Sequence, residues 1–273
     1  MARVVGHFDA ACCGLILNQG LAMYPLILGG SEVQKQRWLP GFASGKYIGA
    51  FGLTEPEAGS DASMIKTTAV LNDGYYIVNG SKCFCSQANI ADVISLLVKT
   101  NPDAGNKGIS CLLLEKGTPG YEVTLIEDKI GVKGSPTNQV FIEDCRIPKE
   151  NLVGKEGEGF TLAMKALDKG RILIGAMSVG LAQEALNMAV QYGKKRVAFG
   201  KPIVFHQGIQ FKIADMAMQI EAARQLVYKA AWMVDHNSPE LAKFGAMAKC
   251  FASDVLMKVS IEAIQTHLLQ LQK

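Results

Sequence analysis

Phe51-Gly52-Leu53-Thr54-Glu55-Pro56-Glu57-Ala58-Gly59-Ser60-Asp61 is the stretch on which the reading of this 273-residue sequence turns. Its first residues suit a short strand, and Pro56 breaks that strand into a loop of small residues. Exposed backbone N–H groups there, with the hydroxyls of Thr54 and Ser60, can meet the carbonyls and phosphates of a flat, anionic ligand. An ordinary tight turn is the other reading, and the stretch alone does not separate the two. Outward from it, short apolar runs alternate with turn residues: Ile48 to Leu53, Tyr75 to Val78, Lys82 to Ser86, Asp92 to Val98, Gly108 to Leu114 and Gln139 to Glu143. Asp73-Gly74 and Asn79-Gly80 flank the second run, which predicts a hairpin. Many short strands with few charges predict a small antiparallel barrel or sandwich.

Helical patterns lie on both sides. His7 to Gly29 reads as one buried helix, its apolar run interrupted by Asn18, Gln19 and Pro25. Ser31 to Leu39 reads as a second, with Ser31 and Gln34 as a capping box and Pro40-Gly41 as its stop. From about Gly157 the chain is helical again. The row Ile209, Ile213, Met216, Ile220, Ala223, Val227, Ala230, Val234 makes one apolar stripe, and the row Ile174, Met177, Leu181, Ala185, Met188, Tyr192 makes its mate. A third helix starts at Glu240, and antiparallel packing of the three predicts a bundle. Strands between helices without βαβ alternation give an α+β fold in three parts: a helical domain over 1–46, a barrel domain over 47–153 and a helical bundle over 154–273.

Composition narrows the function classes. A 49% hydrophobic content suits sizeable buried cores, and 28 basic against 25 acidic residues, with no basic block, give no reason to expect nucleic acid. Seven cysteines without CxxC or Cys/His zinc spacing predict no metal site and a reducing compartment. No signal peptide and no membrane span is read. The absence of a transit-like leader predicts the cytoplasm of a prokaryote, with the mitochondrial matrix as the alternative.

Phe51 to Asp61 resembles the signature of the acyl-CoA dehydrogenase family, and further segments agree in order, from Gly30-Ser31-Glu32-Val33-Gln34-Lys35-Gln36-Arg37-Trp38-Leu39-Pro40 to about Gln265. The resemblance implies that Phe51, Leu53, Thr54, Gly59 and Ser60 bind FAD, Ser60 also touching the acyl-CoA. In Lys82-Cys83-Phe84-Cys85-Ser86, Phe84, Cys85 and Ser86 take the family's tryptophan, aliphatic and hydroxyl places against the flavin ring, Ser86 near N5. Asp168 and Arg171 of Asp168-Lys169-Gly170-Arg171 match the family's substrate-binding turn. As residues alone they equally form a surface pair on one helix face. Arg196-Val197-Ala198-Phe199-Gly200 with His206-Gln207 resembles a second signature, implying that Arg196, Phe199 and Gln207 reach a neighbouring subunit's FAD in a homo-oligomer, a dimer or tetramer; the fork of arginine suits a pyrophosphate. Gln265 matches the start of a further FAD-contacting segment.

The implied reaction is α,β-dehydrogenation of an acyl-CoA, with electrons passed to an electron-transfer flavoprotein. It needs a carboxylate for the α-proton, and the family's usual glutamate lies beyond the last residue of this chain. The minority position for that base is Gly170 here, so no catalytic residue is assigned and the chain reads as shortened at both ends. Two other readings stay open: a catalytically silent FAD- or CoA-binding subunit, and an oxygen-using relative on the same scaffold.

Overall fold

The computed structural model describes residues 9–125 and 129–268. The chain divides into two compact units, Gly14–Leu167 and Asp168–Lys273, the latter together with the residues up to Cys13.

Helix α1 spans Ala10–Gly29. Asp9 caps it, its Oδ1 accepting from the backbone N–H groups of Ala11 at 2.5 Å and Cys12 at 3.1 Å. Residues 7 and 8 of the expected helix lie outside the described residues. Helix α2 (Glu32–Ala43) carries the expected capping box: Gln34 N–H donates to Ser31 Oγ at 3.2 Å, and Ser31 N–H donates to Gln34 Oε1 at 2.9 Å. It does not stop at Pro40-Gly41. Burial of Phe42 against Trp38 and Tyr47 holds one more turn, which Ser44 N–H closes onto Pro40 O at 3.0 Å. Gly41 belongs there because a Cβ would stand 2.0 Å from the Tyr47 ring.

Eight strands form one sheet: β1 (Gly49–Gly52), β2 (Thr68–Asn72), β3 (Tyr75–Ser86), β4 (Val93–Lys99), β5 (Ile109–Glu115), β6 (Tyr121–Leu125), β7 (Thr137–Pro148) and β8 (Leu152–Val153). Their order is β6-β7-β3-β2-β4-β5-β8, with β1 beside β4. The expected antiparallel barrel or sandwich is corrected by this arrangement. β1 runs parallel to β4, β2 meets β4 in parallel at Thr68 and Lys99, and among the described residues the sheet does not close. Alternating burial marks a strand but does not say in which direction its partner runs. Ile94, Leu96 and Val98 of β4 enter one core with Leu112, Val78, Val140 and Ile147, while Val93 and Leu97 enter a second with Leu26, Trp38, Phe42 and Leu162. Burial of both faces explains the nearly continuous apolar runs of β4 and β5.

The two turn dipeptides differ. Asp73-Gly74, at φ 45° and 80°, is the two-residue turn between β2 and β3. Asn79-Gly80 instead lies inside β3, where the register with β7 shifts between Val78 and Gly80. Gly80 sits at φ 149°, and a Cβ there would come within 2.5 Å of Thr67 Oγ1. The dipeptide marks a bulge, so the two runs expected on either side of it are one strand.

Helices α3 (Gly159–Lys195), α4 (Gln207–Asp235) and α5 (Leu241–Leu268) follow. Met216, Ile220, Ala223, Val227 and Ala230 of α4 are buried as the stripe predicts. They share a core with Ala248, Ala252, Val255 and Val259 of α5, and with Ile172, Val179, Ala182, Leu186 and Ala189 of α3. The α3 row is thus turned from the expected one, and Met188 is exposed. Small apolar residues cover most of the α3 surface, so periodicity selects no single face. α1 and α3 are long and apolar enough to cross a membrane by composition, but each contributes side chains to these protein cores.

Candidate functional site

The loop after β1 is folded back on itself. Glu55 N–H donates to Ala58 O and Ala58 N–H to Glu55 O, both at 3.1 Å, around the Pro56-Glu57 corner, and Asp61 Oδ1 accepts from Ser63 N–H at 3.2 Å. Cys83 N–H donates to Thr54 O at 2.9 Å, which fastens the loop to β3. The β3/β7 register shifts again between Lys82 and Cys85, and Phe84 there has φ 54°. This second bulge turns the Phe84 ring outward, leaving it 66% exposed.

These devices open a cavity of about 160 Å³ in the first unit. Phe51, Leu53 and Thr54 line it from the loop, Cys83, Phe84 and Ser86 from β3, Asn18 and Leu21 from α1, and Leu167 from α3. Ligand clefts for drug-sized molecules run to roughly 300–1,000 Å³, so this cavity is too small to enclose such a ligand whole. The hydroxyls of Thr54 and Ser86 and the amide of Asn18 make no hydrogen bond among the described residues. No carboxylate is among the described residues that line it.

Behind the loop the arrangement is the reverse. Lys82, with none of its side chain exposed, donates from Nζ to Glu55 Oε1 at 2.7 Å and to Leu53 O at 3.2 Å. Glu55 also accepts from Thr67 Oγ1 at 2.6 Å and from the N–H groups of Thr67 and Lys66 at 3.0 and 2.5 Å. Burial opposes charge on both partners. For Glu55 the penalty is outweighed by the Lys82 ammonium and these hydrogen bonds, and its carboxyl is held below the usual range. For Lys82 burial prevails, and the amine lies below the ordinary lysine range although Glu55 draws it up. Glu55 is therefore an ionised anchor with its acceptor sites filled, unsuited to taking a proton from a ligand. Its neighbour Glu57 points to solvent and pairs with Lys66.

The structure thus gathers Phe51, Leu53, Thr54, Phe84 and Ser86 around one cavity. Gly59 and Ser60 lie exposed on the loop. Cys85 is placed beneath the floor, 1% exposed, its thiol donating to Phe51 O at 3.3 Å and pushed up to about 12 by burial. Asn18, Leu21, Cys83 and Leu167, and the anchoring role of Lys82, were not singled out from the sequence. Only Asn18 carried a signal, as an amide within an apolar helix.

In the second unit, Asp168 and Arg171 pair with each other at 2.6 Å. After Arg196 the chain forms a small hairpin of β9 (Val197–Ala198) and β10 (Lys201–Pro202). Its Phe199-Gly200 turn has φ 52° and 78° and exposes Phe199 almost completely. Gln207 opens α4 and is exposed. The Arg196 guanidinium makes no hydrogen bond among the described residues although its Nε is buried, and the hydroxyl of Tyr192, one turn earlier, is likewise buried and unpartnered. His267 of α5 stacks on Tyr192 at 4.5 Å, bringing the turn that carries the exposed Gln265 toward the same end of α3.

Comparison with known proteins agrees along the chain. Family models described as acyl-CoA dehydrogenase N-terminal, middle and C-terminal domains match residues 1–46, 50–145 and 157–267. An acyl-CoA dehydrogenase of Bacillus subtilis (strain 168) is 45% identical over 261 residues, covering 94% of this chain and 68% of the relative. The solved butyryl-CoA dehydrogenase from Megasphaera elsdenii superimposes with a TM-score of 0.94 at 43% identity, over 97% of this chain and 70% of that one. A structure of PigA with FAD and proline gives a TM-score of 0.93 at 32% identity, over 100% and 72%. Among the curated relatives the chain spans between 63% and 71% of their length.

Proposed function

Because this chain belongs to the acyl-CoA dehydrogenase family of FAD-dependent oxidoreductases, we propose that the cavity between the β1 loop and the end of β3 holds the reacting edge of a flavin against an acyl-CoA thioester. The observation that carries this reading is the convergence of two hydroxyls, Thr54 and Ser86, which make no hydrogen bond among the described residues, beside the apolar side chains of Phe51, Leu53 and Phe84. Such a set fits a flat aromatic ring with polar atoms along its edge: the apolar side chains take the face and the hydroxyls the edge. When bound, FAD supplies the acceptor for the hydride leaving the acyl β-carbon.

The chain's own residues bind, orient and exclude water. Ser86 and Thr54 hold the ring edge in register, the Glu55–Lys82 anchor fixes the loop that presents Thr54, and Phe84 covers the opening. Gly59 and Ser60 offer a small exposed loop for phosphates or the thioester arm. Asp168 and Arg171 would meet the CoA moiety in the second unit. The uncommitted Arg196 guanidinium, with Phe199, Gln207 and Gln265, supports contact with the pyrophosphate of a neighbouring copy's FAD in a dimer or tetramer. Electron-transfer flavoprotein is the proposed acceptor, and the bacterial sources of the relatives support a prokaryotic cytoplasm.

The described residues that line the cavity include no carboxylate, and the second reading is a chain that binds FAD and CoA without turning over. Anaerobic addition of acyl-CoA thioesters to the FAD-loaded protein separates the two. Bleaching of the visible flavin bands supports dehydrogenation, and perturbed but unbleached bands support the silent reading. Oxygen consumption identifies an oxygen-using relative. Failure to retain FAD at all sinks the assignment of the cavity.

A further inference from the structure

Helix α1 contains two adjacent amides in an otherwise apolar run, Asn18 and Gln19, and the fold treats them differently. Gln19 is engaged at both ends: its Nε2 donates to Tyr47 O at 2.6 Å and its Oε1 accepts from Gly49 N–H at 2.8 Å, which holds the entry to β1. Asn18 makes no hydrogen bond among the described residues, and it lines the cavity. Asparagine is a poor residue for a helix interior, since its side chain favours local turns. Among the described residues no hydrogen bond offsets that here. Leu21, three residues on, shares the same helix face, so this wall of the cavity is apolar apart from one amide.

We propose that Asn18 is a specificity-determining residue, whose carboxamide hydrogen-bonds an oxygen carried by a short acyl group beyond its β-carbon and disfavours a plain alkyl chain of the same length. This rests on the reading of the cavity as an acyl thioester site. An alkyl chain laid against the amide displaces its water and returns no hydrogen bond, whereas an ether or hydroxyl oxygen accepts from the amide N–H. Thr54 and Ser86 are committed to the ring edge in that reading, which leaves Asn18 as the polar group free for the acyl portion.

The test compares pentanoyl-CoA with 3-methoxypropanoyl-CoA, in which one methylene becomes oxygen, by titrating each into the anaerobic, FAD-loaded full chain and following the flavin absorbance. The unmutated protein is expected to bind the oxygen-bearing thioester about ten-fold more tightly, the discrimination set by leaving one amide unpaired. Asn18→Leu is expected to level or reverse that preference, and Asn18→Ala serves if the leucine variant does not fold. Equal or tighter binding of pentanoyl-CoA by the unmutated protein overturns the inference, as does a ratio unchanged in the variants. In both cases the cavity assignment survives. Binding of neither thioester removes the cavity assignment and this inference together.

Discussion

Thr54 and Glu55 are adjacent in sequence and face opposite circumstances. Glu55 turns inward, where Lys82, Thr67 and two backbone N–H groups fill its oxygens. Thr54 turns to a cavity in which its hydroxyl, the Ser86 hydroxyl and the Asn18 carboxamide make no hydrogen bond among the described residues. Saturation of one side makes the loop rigid, and vacancy on the other makes it receptive. The comparison teaches where to look for each role: the charged residues of the motif hold structure, and the small neutral ones meet the ligand. It also yields opposite expectations, folding effects behind the loop and binding effects in front.

The largest effect is expected behind it. Lys82→Met leaves Glu55 buried without its counter-charge and should lower the unfolding free energy by about 3–5 kcal/mol, read from the urea midpoint. Removing both charges, as Glu55→Gln with Lys82→Met, should recover most of that loss. If the double variant is no more stable than the single, the pair is not the coupled unit described. The same pair sets a pH dependence. The folded carboxyl of Glu55 titrates below its ordinary value of about 4.3, so it contributes stability present above that value and lost as the pH falls through the lower folded one. Acid unfolding followed by circular dichroism should show this slope below about pH 4 and show less of it in the double variant.

Next comes the bulge that seats this anchor. Gly80→Ala places a methyl 2.5 Å from Thr67 Oγ1 and 2.7 Å from Thr67 Cα, at φ 149°, and should destabilise by about 2–3 kcal/mol. Gly74→Ala is its control. That turn glycine has φ 80° but open space around it, so only the backbone term of about 1 kcal/mol remains. Equal midpoints for the two would mean that close approach to Thr67 is not what requires Gly80.

In front of the loop the effects move from folding to binding. Thr54→Val and Ser86→Ala should each weaken FAD retention about five-fold, one hydrogen bond's worth, while changing the unfolding free energy of the flavin-free protein, read from the urea midpoint, by less than about 0.5 kcal/mol. Loss of stability without loss of flavin would reverse the roles assigned to the two sides.

Much of this was legible beforehand, for physical reasons that can be named. The capping box of α2, the stripe of α4 and the turn at Asp73-Gly74 are local signals, carried by residues within four positions of each other. What escaped was mostly non-local. Strand direction in β1 and β4 depends on partners some forty residues apart, and Asn79-Gly80 became a bulge because Thr67, far back in the chain, approaches it. The α2 helix runs past Pro40 for a reason close in sequence but blind to periodicity, the packing of Phe42 against Trp38 and the Tyr47 ring. Lys82 looked like an ordinary strand lysine until Glu55 was seen beneath it, and Cys85 sat in a site-like position by sequence order while its bulged strand turns it into the core. The cavity residues from α1 are the hardest to foresee: the Asn18 amide marks one polar point in an apolar helix, but not the distant loop that its face meets.

The smallest folding effect is expected at Asp168 and Arg171, where the two readings of one ion pair diverge. The pair is half exposed and three residues apart on one helix, so its contribution to stability is a few tenths of a kcal/mol after solvent screening. Asp168→Asn and Arg171→Gln should therefore leave the urea midpoint nearly unchanged. If the pair is only surface, binding of an acyl-CoA should be unchanged as well. If the guanidinium meets the CoA moiety, Arg171→Gln should weaken binding of the thioester by about ten-fold, more strongly at low salt than at high. Asp168→Asn should do so less, because the arginine keeps its charge and loses only the partner that orients it. An unfolding free energy that fell by about 1 kcal/mol or more would show that the pair holds the helix after all, and would remove the case for a ligand contact there.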